Sequence, residues 1–163
     1  MKIKIRRNVF ETNSSSTHSI CITKNTRSIE DCAEKYENVN FVTGEFGWEN
    51  KIYKDTASKA SYLYTAIAEL GNCNMINKKK CIDFITKTLF ENNISCTFTE
   101  GDYYYIDHCG ELVDFVNSVC HSQKRLLKYL FSDESFIITG NDNDDNCDYI
   151  SVTYKHEEYY KGN

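Results

Sequence analysis

The sequence lacks any run approaching the roughly 18 consecutive apolar residues of a membrane-spanning helix, so no membrane partner is expected. It also lacks a secretion signal. Basic residues 1–7 are followed by the polar segment 8–17, where a signal peptide needs an apolar stretch. The expected location is cytoplasmic. A surplus of positive charge is missing too: 19 Lys and Arg stand against 24 Asp and Glu, for a net charge of −5. A protein that holds nucleic acid by neutralising phosphates shows a basic surface, so nucleic acid is disfavoured as a partner. The basic runs are Lys2-Ile3-Lys4-Ile5-Arg6-Arg7 and Lys78-Lys79-Lys80, with Lys124-Arg125 as a lesser pair. A local basic face on an acidic protein stays open. Neither an internal repeat nor a long linker is present.

What is there describes a globular chain. At 163 residues, 40% hydrophobic and 26% charged, it fits one domain spanning residues 1–163 with an ordinary core. Aromatics are plentiful, with 12 Tyr and 9 Phe; tyrosine packs an apolar body while its hydroxyl seeks water or a partner. The eight cysteines read as reduced thiols acting as small hydrophobes, because no export signal accompanies them.

Periodicity places the elements. Residues 3–10 and 18–23 alternate as strands, and the polar residues 11–17 between them read as the connection of a β-hairpin. Ser28-Ile29-Glu30-Asp31 resembles a capping box, and Ile29, Cys32, Ala33 and Tyr36 then follow at the spacing of one helix face. Residues 41–48 read as extended. Helices are predicted over 56–70, with Gly71 as its C′ residue, and over 77–91, ended by Asn92-Asn93. Residues 94–99 and 103–107 suggest a second hairpin around Glu100-Gly101-Asp102. A helical stretch over 111–131 breaks at His121-Ser122-Gln123. Strands at 135–139 and 149–154, and a charged tail or strand end at 156–161, close the chain. The fold class is α+β: a mostly antiparallel sheet with four to five helices.

Motifs with chemical potential are few. His108-Cys109 and Cys120-His121 contain zinc-ligand residue types, but no C-x-x-C is present and adjacent pairs strain to bind one ion, so no metal is assigned. Asp142-Asn143-Asp144-Asp145-Asn146 starts like an EF-hand loop and then departs from it, with Cys147 where glycine belongs and Thr153 where glutamate belongs. Tyr103-Tyr104-Tyr105 suits a strand or a protein interface better than base stacking, given its acidic neighbours. No cofactor is called for.

The candidate contact or ligand cluster is Asn13, Ser14, Ser15, Ser16, Thr17 and His18. Small polar residues turn backbone N–H groups and hydroxyls toward an anion. A serine beside a histidine also supplies a nucleophile and its base, although triads are assembled in space and no G-x-S-x-G elbow is present. A turn, in which Asn and Ser dominate, explains the run equally well. No catalytic residue is assigned.

The segment R-N-V-F-E-T-N-S-S-S-T-H-S, residues 7–19, resembles the opening of a group of small proteins from low-GC Gram-positive bacteria and their phages. Fainter likeness recurs at residues 44–49 and 137–144. The complete absence of proline, with many Asn, Lys, Ile and Tyr, agrees with AT-rich coding of that kind. No activity is attached to the group, so no residue roles carry over. The resemblance implies a mobile-element setting and a protein partner. The expected function is a non-enzymatic phage or mobile-element inhibitor of a bacterial defence or regulatory protein, anti-CRISPR-like in role. The alternative is a small enzyme or ligand-binding protein that uses the Ser/Thr/His cluster on a phosphate- or carboxylate-bearing small molecule.

Overall fold

The computed structural model describes residues 16–24, 35–47, 49–141 and 157–162. The strand expected at 3–10, the helix at 29–36 apart from its last residues, the loop at 142–148 and the strand at 149–154 lie outside them. Within them the class is α+β. Strands are β1 (Ser16–Thr23), β2 (Asn38–Val42), β3 (Glu45–Phe46), β4 (Lys51–Tyr53), β5 (Ser95–Thr99), β6 (Tyr105–Ile106), β7 (Phe136–Asn141) and β8 (Glu157–Gly162). Helices are α1 (Thr56–Asn72), α2 (Lys78–Glu91), α3 (Val113–Val119) and α4 (Gln123–Phe131), with a 3-10 turn at Cys109–Leu112 before α3.

One antiparallel sheet runs β4-β7-β1-β8. Its register sets Ile20 opposite Ile137 and His18 opposite Thr139. β1 is a central strand, and Ile20, Cys21 and Ile22 in succession are fully buried, as expected of a strand covered on both faces. The other strands pair in parallel: β2 with β5, and β3 with β6.

This overturns the hairpin expected at 94–107. Both segments are extended, but β5 and β6 do not pair with each other; they run in succession along residues 38–46. The 100–104 connection does not reverse the chain. Gly101 N–H donates to the Thr43 hydroxyl (2.8 Å) and Tyr105 N–H to Gly44 O (3.1 Å), which carries the chain onward beside β3. Helices α1 and α2 form the crossover that a parallel pair requires.

Helix α1 is the centre of the molecule. Asp55 caps it by accepting from Ser58 N–H at 2.8 Å, and buried residues then occupy nearly every face, including Ala60, Tyr62, Leu63, Ile67 and Leu70. It packs against β2, β6 and all three other helices. The expected C′ glycine is corrected. Gly71 lies inside the helix, where an added Cβ would meet Lys78 Cβ at 2.8 Å, so it serves the close approach of α2. Asn74 takes the left-handed position (φ 57°) instead. Its N–H bonds Gly71 O and that of Met75 bonds Leu70 O, forming a Schellman motif. Helix α2 ends the same way at Asn93 (φ 60°), with Ile94 N–H on Leu89 O. The break between α3 and α4 falls at Ser122, whose hydroxyl accepts from Arg125 N–H.

Polar links dock α1 on α4. The Lys59 ammonium, 1% exposed, donates to Ser132 O (2.6 Å) and Ser135 O (3.1 Å) just past the end of α4. In return, the Tyr129 hydroxyl donates to Lys59 O (2.8 Å) and the Thr56 hydroxyl to Leu130 O (2.9 Å). Replacing Lys59 by Met keeps the aliphatic stem but strands two acceptors. The expected loss is about 2–3 kcal/mol of stability, read from urea unfolding with helix content unchanged. A variant as stable as wild type would show that these bonds do not hold the helices together.

Candidate functional site

Of the cluster singled out in sequence, Ser16, Thr17 and His18 are described, while Asn13, Ser14 and Ser15 lie outside the described residues. Ser16 and Thr17 already belong to β1, in register with Asn141 and Gly140, rather than to a connection between strands. His18 is 1% exposed. Its Nδ1 lies 3.2 Å from the Tyr62 hydroxyl, with the two rings tilted at 53°.

Burial decides the chemistry of this pair. Desolvation lowers the His18 pKa from 6.5 to about 4; the charges of Asp107 and Glu111 oppose the shift and that of His108 adds to it. Burial pushes the Tyr62 phenol well above its ordinary value. Near pH 7 the pair is therefore a neutral imidazole hydrogen-bonded through Nδ1 to a neutral phenol. A base with a pKa near 4 takes up protons poorly at neutral pH, where general-base catalysis works best with a pKa near 7.

The acidic turn near His18 has its own order. Tyr105 donates to Asp107 Oδ1 (2.9 Å), which also accepts from His108 N–H (3.0 Å). His108 takes a left-handed backbone (φ 51°) and its ring lies 3.7 Å from Asp107 Oδ2. The mirrored His/Cys set builds no shared site: Cys120 is buried in the core, and His121 Nδ1 meets Asn117 O at 2.7 Å. Among the described residues no three His, Cys, Asp or Glu side chains form a metal site. In the tyrosine tract Tyr103 is exposed, whereas Tyr104 joins Tyr64 and Lys78 around Glu100.

The feature that sequence reasoning did not assemble is a basic cleft at the other end of β1. A cavity of about 240 Å³ is lined by Ile22, Thr23 and Lys24 of the β1 end and by Ser122, Lys124, Arg125 and Lys128 of α4 and its cap. Four cationic residues thus border one small space on a chain of net charge −5. The helix supplies three of them at i, i+1 and i+4, and folding brings Lys24 to meet them. Arg125 is braced by donating to Ser118 Oγ (2.6 Å), and Lys128 is almost wholly buried. Thr23 is held by its own hydroxyl bond to Glu134 Oε2 (2.9 Å). Such a cleft concentrates positive potential and offers charged donors to a carboxylate or phosphate. In the sequence its trace was the Lys124-Arg125 pair; nothing local pointed to Lys24.

No helix among the described residues is long and apolar enough to cross a membrane. No protein-family model, curated protein or solved structure matches this chain.

The depressed His18 pKa fixes the sign of a pH effect. The unfolded chain binds this proton near 6.5 and the folded chain only near 4. The contribution is therefore complete above pH 6.5 and lost as pH falls through 6.5 toward 4. Between pH 7 and 4.5 the loss is expected to reach about 2–3 kcal/mol. It is measured as the difference in urea unfolding between wild type and His18→Gln; identical pH profiles for the two would remove His18 as the cause.

Proposed function

We propose that this chain is a non-enzymatic interaction protein that seats an acidic group of a partner protein in the cleft between the end of β1 and α4. The observation that carries this reading is the convergence of Lys24, Lys124, Arg125 and Lys128 on one cavity. Its small volume suits a carboxylate or phosphate presented by a folded partner. A nucleic-acid strand needs a track of positive charge along several phosphates, and the net acidity of the chain opposes that.

The alternative, a small enzyme acting through the Ser/Thr/His cluster, draws less support. His18 is enclosed, held in the neutral form and committed to Tyr62. The biological setting within the proposal is a phage or mobile element, with a bacterial defence or regulatory protein as the target. It rests on the resemblance of residues 7–19 to proteins of low-GC Gram-positive bacteria and their phages.

Lys24 and Lys124 are both exposed, so reversing their charge leaves the core untouched. Affinity capture from a low-GC Gram-positive lysate is expected to return a stoichiometric partner with wild type. The Lys24→Glu/Lys124→Glu variant should bind that partner at least about tenfold more weakly, equivalent to about 1.4 kcal/mol. Undiminished capture by the variant would move the contact elsewhere, and the absence of any stoichiometric partner would count against the interaction reading itself.

A further inference from the structure

The basic cleft is graded from rim to floor. Among its lining residues Lys24 and Lys124 are exposed, Ser122 and Arg125 are half-buried, and Thr23 and Lys128 are buried. Lys128 is only 6% exposed, so positive charge reaches the floor as well as the rim. Thr23 is engaged inside the protein: its N–H donates to Ser135 Oγ (3.1 Å) and its hydroxyl to Glu134 Oε2 (2.9 Å). Ser122 Oγ accepts from Arg125 N–H (3.4 Å), and a hydroxyl that accepts one bond still has a proton to donate. Arg125 Nη1 donates to Ser118 Oγ (2.6 Å), which ties the guanidinium to α3.

This lining discriminates between anions. A carboxylate is planar, carries one charge and is met best by the two-pronged fork of a guanidinium. The cleft instead offers three ammonium groups, which act as point charges, and one guanidinium tied elsewhere through Nη1. A phosphate monoester carries about −1.5 to −2 charges near pH 7 and three strong acceptor oxygens. Tetrahedral oxygens are reached from several sides, and the cations stand on two walls: Lys24 just past β1, the other three on α4. The first turn of α4, capped by Ser122, borders the same space, so the helix dipole adds to the attraction. Size narrows the ligand further. A cavity of about 240 Å³ is smaller than the roughly 300–1,000 Å³ clefts that take drug-sized molecules, so it suits a terminal group and not a whole nucleotide.

We propose that the cleft selects a dianionic phosphate monoester over a carboxylate, and that this phosphate is borne by a phosphorylated side chain of the partner protein. The proposal rests on the reading of the cleft as the docking site. On a chain of net charge −5 most of the surface repels a phosphorylated partner, and the local field of the cleft sets where that partner is received.

The first measurement is an amide NMR titration of the folded chain at about pH 7.5, where the monoester is dianionic. The probes are blocked phosphoserine, inorganic phosphate, blocked glutamate and dimethyl phosphate, the last a singly charged diester like those of nucleic acid. The two dianions are expected to shift the amides of Lys24, Lys124 and Arg125 to saturation at concentrations at least about tenfold below those needed for the two monoanions. The Lys24→Glu/Lys124→Glu variant should lose that preference. Equal affinity for all four probes, or shifts centred elsewhere on the chain, would overturn phosphate selection.

The second measurement repeats affinity capture after phosphatase treatment of the low-GC Gram-positive lysate. Loss of the partner is the expected result. A partner captured equally well from treated and untreated lysate rules out the phosphorylated side chain and leaves the interaction reading standing. A lysate that yields no partner even before treatment strikes the interaction reading, and the side chain as source with it. The titration then decides separately whether the cleft takes free phosphate.

Discussion

The fold turns on a buried cation. Placing Lys59 in the core takes an ammonium out of water, a cost of several kcal/mol that only good hydrogen-bond geometry offsets. The compensation comes from Ser132 O, the carbonyl that caps the C-terminal end of α4 and where the helix dipole also favours a positive charge, and from Ser135 O just before β7. The same turn reaches β1, because the Ser135 hydroxyl accepts from Thr23 N–H at 3.1 Å. Thus one short segment after α4 receives the central helix on one side and the end of the central strand on the other. The basic cleft is lined by that end of β1, Thr23 and Lys24, and by Ser122, Lys124, Arg125 and Lys128 of α4 and its cap.

The other buried polar pair works differently. His18 and Tyr62 join β1 to α1 by a neutral hydrogen bond set among edge-to-face aromatics, Tyr62 with Phe46 at 5.1 Å and with Phe115 at 6.3 Å. The shift that makes His18 a poor base is the consequence of burial in that packing. A histidine beside serines in sequence thus reads as chemistry, yet in the fold it is a core residue. The distinction lies in what covers it.

Local pattern was informative wherever one segment makes its own case. The apolar residues of 56–70 and 77–91 repeat at helical spacing, Asn92-Asn93 ends the second helix, and Ser122 restarts the chain as a cap between α3 and α4. Each of these signals is contained within one or two turns of backbone. Extended structure at 95–99 and at 105–106 was equally legible from alternation, but its partner was not, because a period of two is the same in a hairpin and in a parallel ribbon. Gly71 likewise carried two meanings. Its position suggested a left-handed cap, and only the approach of Lys78 on the next helix reveals that its missing side chain makes room.

The amino-acid sequence by itself determined the α+β class, the helices that begin near residues 56 and 77, the end of the second at Asn92-Asn93, and the absence of a long apolar span, since these depend on composition and on interactions within a few residues. Tertiary structure alone decided what those pieces do together. It buried His18 and so withdrew it from solution chemistry. It also carried Lys24 to the basic start of α4. Each outcome is a contact between residues distant in the chain, and the free energy of such a contact depends on desolvation and distance in the folded state, neither of which is written in the neighbours of either residue.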